Sequence, residues 1–379
     1  MIYTHLYPTP ERFGIPQDTR VVHYFARDWQ KMGHRVQVVV LNHWPVKEIF
    51  RHDLRQILPR EDDYEYEGVP VHIFNYQLLT PRRRCPEAFQ ARRINAMLRG
   101  FKQGLGWTPD KVFVNFPTFS VGLTEIFAEE VPSIAVFHLS DVINLKLDDG
   151  PRVRSHLERF RTWGYRNPGI GQFLKERFDR ASVPVYSGID EDLIADAGVI
   201  KNKKQPHPLP LRLLYAGKLI ERKRADDLIR AVRQLDFLWM LMIVGDGPEM
   251  GAFRAAAGGD PRILFKGQLS REETVACMQE ADAFLMVSTG ETFGLVYLEV
   301  MGQGCITVAS RGEGIDGVII DGENGYLVPA GDIGAIKDVI CRIRDLTGEE
   351  KGQIIQKGYD LARTMTSMQT SKRYFEANS

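Results

Sequence analysis

Long apolar runs are missing from this 379-residue chain, and no stretch approaches the roughly 18 uncharged residues that a membrane-spanning helix needs. The first residues, MIYTHLYPTPERFG, lack a basic segment followed by an apolar run, so no signal peptide is expected. Cysteine is scarce. Cys85, Cys277, Cys305 and Cys341 lie far apart with no CxxC, which speaks against a disulfide framework and a zinc site and for reduced, packed thiols in the cytoplasm. Charge of one sign is absent too: 49 Lys+Arg against 49 Asp+Glu leave a formal net charge of zero, so no nucleic-acid partner is indicated. Short-period repeats and low-complexity segments are also lacking.

What is present is ordinary globular composition, 44% hydrophobic and 26% charged, in a chain long enough for two domains. Short apolar runs alternate with helical periodicity, the pattern of βαβ units around a mainly parallel sheet. Strands are predicted at Val36–Leu41, Val112–Phe116, Ser133–Phe137, Leu211–Ala216, Leu238–Val244, Ala283–Val287 and Ile306–Ala309. Helices are predicted at Arg20–Met32 (ended by Gly33), Arg224–Gln234, Pro248–Ala257 and Arg271–Glu280. Lys201–Pro210, KNKKQPHPLP, has linker composition. The expected division is 1–200, 201–358 and a C-terminal helix and tail, 359–379, packing back on the first domain.

The stretch STGETFGLVYLEVMGQG, residues 288–304, keeps two glutamates, Glu291 and Glu299, in apolar surroundings. Glu291 falls in the turn after a buried strand, and Glu299 within a helix from about Phe293 to Met301. A partly buried carboxylate needs hydrogen-bond donors, and the cis-diol of a ribose supplies two. A helix start offers N–H groups to phosphate, and Gly294 carries no side chain to obstruct an approaching ligand. From spacing alone, a helix cap at Glu291 and an exposed acid at Glu299 account for the pair equally well. YAGKLIERK, residues 215–223, adds Gly217, Lys218 and Lys223 after another strand, where ligands bind in open α/β sheets, although two lysines there also suit a solvated surface. VGDGPEMG, residues 244–251, sets its third glycine one residue late for a dinucleotide fingerprint and reads as a strand-to-helix turn. Asp190-Glu-Asp192 spells D-x-D in a loop beside the expected boundary, and no metal is expected there. Between Thr80 and Gly104, Arg82, Arg83, Arg84, Arg92, Arg93, Arg99 and Lys102 face one acid, Glu87. This is either a solvated face or a patch for anionic lipid.

Together these motifs resemble family 4 of the retaining glycosyltransferases. Its E-x(7)-E motif matches Glu291…Glu299, and its diphosphate motif matches Gly217-Lys218…Lys223. VGDGPE (244–249), FKGQLS (265–270), EADAFLMVS (280–288) and DGENGYLV (321–328) are similar as well. In the first half, YPTPERFGI resembles the branch with one Gly-Ile in the first loop, and SIAVFHLSD resembles the strand that ends in histidine. The resemblance implies an α/β protein of the GT-B fold, two facing Rossmann-like doubly wound domains with a cleft between them. It implies His138, Glu291, Lys218 and Lys223 as catalytic residues. Gly14, Gly217, Thr292, Phe293, Gly294, Leu295 and Glu299 would bind the donor, with His138 facing the sugar across the cleft. Lys218 stands where arginine is usual, Arg224 where glycine follows the lysine, and Leu139 where glycine follows the histidine.

The activity implied is retaining, metal-independent sugar transfer from a nucleoside diphosphate sugar to an acceptor hydroxyl, in polysaccharide or glycolipid assembly. No cofactor is expected beyond that co-substrate. The partners would be a saccharide or lipid-linked acceptor and, through the Arg82–Lys102 region, the inner face of a membrane. Two rivals remain: a sugar-nucleotide epimerase of the same architecture and a non-catalytic nucleotide-sugar binding module. An NAD oxidoreductase lacks the glycine pattern.

Overall fold

The computed structural model describes residues 1–13, 19–45, 57–78, 85–127, 131–205 and 210–378. The chain forms two compact units. The first holds Met1–Arg166, Ile170–Tyr186 and Thr370–Ser379; the second holds Asn167–Gly169 and Ser187–Gln369.

In the first unit, β1 (Ile2–Thr4), β2 (Val38–Pro45), β3 (Arg60–Tyr66), β4 (Val69–Leu78), β5 (Val112–Asn115), β6 (Ser133–Phe137), β7 (Thr162–Tyr165) and β8 (Val183–Pro184) form one sheet, ordered β3-β4-β2-β1-β5-β6-β7-β8. All its pairs are parallel except β3–β4. The central strands are buried on both faces, as Val38–Val40 and Ile134–Phe137 show, which explains their unbroken apolar runs. The β3–β4 hairpin escaped the sequence reading because β3, REDDYEY, is an edge strand with most side chains in water. Its Glu67-Gly68 turn, with φ +47° and +79°, is the readable signal for a two-residue hairpin.

The second unit's sheet is parallel throughout. β9 (Leu211–Ala216), β10 (Trp239–Val244), β11 (Ile263–Gly267), β12 (Ala283–Met286), β13 (Ile306–Ser310) and β14 (Tyr326–Val328) lie in the order β11-β10-β9-β12-β13-β14. Strand order reverses between β9 and β12, and ligands of doubly wound sheets bind outside the carboxyl ends at such a switch point.

Three expectations differ from the structure. The first unit's main run ends at Tyr186, not at 200. Part of the expected linker is a helix, Ala197–Lys203, whose buried Lys203 ammonium donates to the carbonyls of Met278 and Ala281. Of the expected helix and tail, 359–379, the last part is itself a helix, Ser367–Ala377. From Thr370 onward it belongs to the first unit: Trp29 Nε1 donates to Ser371 O at 2.8 Å, and Tyr374 packs on Phe25 and Phe113.

Candidate active site

The switch point of the second unit is built from two loops. After β9 the chain runs through Gly217–Arg224; after β12 it runs through Val287–Gly294. Thr289 N donates to Arg222 O at 2.8 Å and ties them together. The Lys223 ammonium bonds the Glu291 carboxylate, both side chains being largely buried. Arg222 Nη1 lies 3.5 Å from the same carboxylate and 3.4 Å from Gly290 O. The loop after β13 completes the group. Glu291 N donates to Glu313 Oε2 at 2.9 Å, and Gly314 N to Glu291 O at 3.0 Å. Asn167 Nδ2 donates to Thr292 O at 2.7 Å. Lys218 is exposed beside this cluster.

Glycine is required at two places here. Gly294 has φ +81° and caps the helix Leu295–Gly302, and a β-carbon there would lie 2.5 Å from the Tyr297 ring. Gly245, φ +125°, lets the β10 loop touch the β9 loop, since a β-carbon would fall on the Gly217 carbonyl oxygen. Gly217 N donates to Val244 O at 3.0 Å and Leu219 N to Asp246 O at 2.9 Å. The glycines of VGDGPE therefore serve loop-to-loop packing.

Glu299 lies within the Leu295–Gly302 helix and is half-buried. Burial raises its carboxyl above the usual range; Arg271 opposes the shift and Asp190 adds to it. Among the described residues none donates a hydrogen bond to that carboxyl. The D-x-D pair is matched by a cation: Arg271 Nη2 reaches Asp190 Oδ2 at 3.0 Å and Asp192 Oδ1 at 2.6 Å.

His138 belongs to the first unit, at the end of β6. Its ring stacks on Phe116 with centroids 3.7 Å apart, and Nε2 lies 3.2 Å from Asn115 Oδ1. Burial, with Arg166 adding to it, keeps the imidazole neutral. His138 N donates to Asp141 Oδ2 at 2.8 Å, while Thr118 N and Oγ1 donate to Asp141 Oδ1. Burial pushes the Asp141 carboxyl up to about 7 against these donors.

Gly217, Lys218, Lys223, Glu291, Thr292, Phe293, Gly294, Leu295 and Glu299 thus all belong to the loops and helix at the second unit's switch point. His138 belongs to the other unit, and Gly14 lies outside the described residues. Arg222, Glu313, Asn167, Arg271 and Asp141 were not singled out from the sequence. The Gly-Glu-Gly at 312–314, following a buried strand, was the available signal for Glu313. Of the basic segment, Arg82–Arg84 lie outside the described residues. Arg93 Nε donates to Pro59 O, and Arg99 and Lys102 converge on Glu125. Among the described residues no helix is long and apolar enough to cross a membrane.

Residues 210–345 match the family described as Glycosyl transferases group 1. Those residues form a group 1 glycosyltransferase domain. The phosphatidyl-myo-inositol mannosyltransferase of Mycobacterium leprae (strain TN) is 28% identical over 241 residues, 60% of this chain and 62% of that protein. The chain thus spans about three-fifths of the length of that curated relative. Among solved structures, sucrose-phosphate synthase from Thermosynechococcus elongatus aligns over 99% of this chain and 97% of its own, with a TM-score of 0.67 at 16% identity. Anabaena HepE, in complex with UDP-glucose, aligns over 99% and 98%, with a TM-score of 0.62 at 16% identity. These likenesses give the fold: GT-B, with the glycosyltransferase domain as its second Rossmann-like unit.

Proposed function

We propose that the chain transfers a sugar from a nucleoside diphosphate sugar to an acceptor hydroxyl, with retention at the anomeric carbon and without a metal ion, in polysaccharide or glycolipid assembly. The observation that carries this reading is the meeting of Lys223, Arg222 and Glu291 at the β9/β12 switch point. When the anomeric C–O bond breaks, its electron pair stays on the β-phosphate oxygen. The acceptor oxygen bonds the anomeric carbon, and its proton passes to the leaving phosphate. Lys218, Lys223 and the N-terminus of the Leu295–Gly302 helix stabilise that charge. Glu291 orients Lys223 and takes the sugar's hydroxyls. Glu299, with no protein donor among the described residues, takes the ribose diol. His138 is the first unit's candidate, a neutral imidazole for a sugar hydroxyl.

The names of the similar proteins support the same class, one a mannosyltransferase acting on a phosphatidylinositol, the other a structure holding UDP-glucose. The test is a screen of UDP-, GDP- and ADP-sugars by thermal shift and nucleotide release, with the product anomer read by NMR. One donor class should stabilise the protein and be turned over to a product of unchanged anomeric configuration. Epimer formed without acceptor, or binding without turnover under any acceptor, would overturn transfer. Turnover abolished by chelator would overturn metal independence. Contact of the Arg82–Lys102 region with anionic lipid belongs to the same proposal. It is tested by flotation with and without acidic lipid.

A further inference from the structure

Leu139 departs from the glycine that follows the histidine in the resembling family, and the transfer chemistry gives it no task. It opens the helix Leu139–Leu147, for which His138 is the N-cap. That helix buries one face, with Asp141, Val142, Asn144 and Leu145 all 9% exposed or less. Its other face carries Leu139, Ile143 and Leu147, exposed by 37%, 52% and 73%. Only seven large hydrophobic side chains are exposed among the described residues, and these are three of them. At 3.6 residues per turn, positions i, i+4 and i+8 sweep about 80° and run about 12 Å along the axis, so the three make a single ridge. Scattered exposed leucines need no explanation, but an aligned row starting beside a candidate site residue does.

Chemistry narrows the occupant. Leu, Ile and Leu side chains offer no hydrogen bond, so a bare saccharide gains little from them. Three aliphatic side chains give a few hundred Å² at most, short of the about 800 Å² per partner of a stable protein interface. A single hydrocarbon chain laid along the row fits both limits. Lys146 is exposed on the same helix, with its ammonium 5.9 Å from the Phe173 ring, and can meet an anionic headgroup. The ridge also starts where β5 and β6 end, the side of a doubly wound sheet at which ligands bind.

We propose that the Leu139–Ile143–Leu147 ridge holds the acyl or prenyl chain of a lipid-linked acceptor, so that the acceptor class is a glycolipid rather than a free saccharide. This rests on the transferase reading, with the acceptor's hydroxyl at the His138 end. The test uses alkyl glucosides of eight, ten and twelve carbons below their micellar concentrations, against the full chain and a Leu139→Ser/Ile143→Ser/Leu147→Ser variant. Binding is followed by NMR shifts of Leu and Ile methyl groups. Affinity for the wild type should tighten about twofold per added methylene, roughly half of the full transfer value because one side of the chain stays wet. The variant should lose that dependence. Its melting temperature and its nucleotide-sugar thermal shift should stay as in wild type, because all three positions are exposed and lie outside the donor domain. Equal chain-length dependence in both proteins, or none in either, overturns the ridge. So does a wild-type dimer that the variant abolishes in sedimentation, since the ridge would then be a subunit interface. Loss of the nucleotide-sugar shift in wild type would instead remove the transferase reading beneath it.

Discussion

The candidate residues of the two units solve opposite problems. In the second unit, charged side chains stand on loops and answer one another, Lys223 and Arg222 against Glu291, with Glu313 holding the Glu291 backbone. In the first, His138 and Asp141 are enclosed, and their surroundings favour neutral forms. Paired charges on loops suit a ligand that arrives as an anion and leaves with more charge. Neutral groups in a closed frame suit hydroxyls, for which direction matters more than field. One chain thus offers an ionic site and a polar site.

The largest effect that would sharpen this contrast is expected from Lys223→Ala. Removing a charge that answers the leaving phosphate should lower nucleotide release by about 10²–10³-fold, the scale of a lost oxyanion donor. His138→Ala should cost less, and its loss should vary little around neutral pH, because burial holds the imidazole well below its usual titration range. Equal losses in steady-state assays of both variants would break the distinction.

Next comes Glu299→Gln. A hydrogen bond to a charged group is worth about 1.5–3 kcal/mol, so nucleotide affinity should fall roughly 10- to 100-fold. The wild-type carboxyl titrates above its ordinary value, so affinity should rise with pH as it ionises and stay flat in the variant. Calorimetry at pH 5 and 7.5 reads both.

A smaller, pH-signed effect is expected at Asp141. Its folded value of about 7 exceeds the ordinary 3.8. The stability it contributes by taking up a proton is therefore complete below pH 3.8 and fades as pH climbs through 7. Asp141→Asn should destabilise the first unit at pH 5 and lose most of that penalty by pH 8. A melting-temperature difference that grew with pH would contradict the burial argument.

The smallest effect concerns Arg224, which holds φ +51°, a left-handed conformation that glycine adopts without strain. The glycine geometry is thus kept without the glycine, and the side chain turns to Asp227 at 2.6 Å. Arg224→Gly should relieve about 1 kcal/mol of backbone strain, partly offset by the lost ion pair to the buried Asp227. A melting temperature changed by no more than a few degrees is expected, and a large fall would mean that the ion pair dominates.

Much of the second unit was legible because its strands are buried on both faces and read as unbroken apolar runs. Leu211–Ala216 and Arg271–Glu280 fall on the predicted residues. The site was half legible. Glu291, Glu299 and Lys223 stood out as charges in apolar context, but the Lys223–Glu291 bond and the Asp190–Arg271–Asp192 bridge join residues 68 to 81 positions apart, which spacing cannot pair. The first unit was less readable. Its β3 is polar along most of its length. The second unit has one such failure, Lys203, a buried lysine that composition assigns to a linker.

The helix at Ser367–Ala377 sets an order on synthesis. Trp29, Phe25 and Phe113 emerge early from the ribosome, yet the Tyr374 that seals them follows only after residues 187–369 have been made. Until then that aromatic wall stays wet. The early lobe must wait, half-closed, for the last turns of the chain, which makes a nascent or prematurely terminated copy a natural client for chaperones.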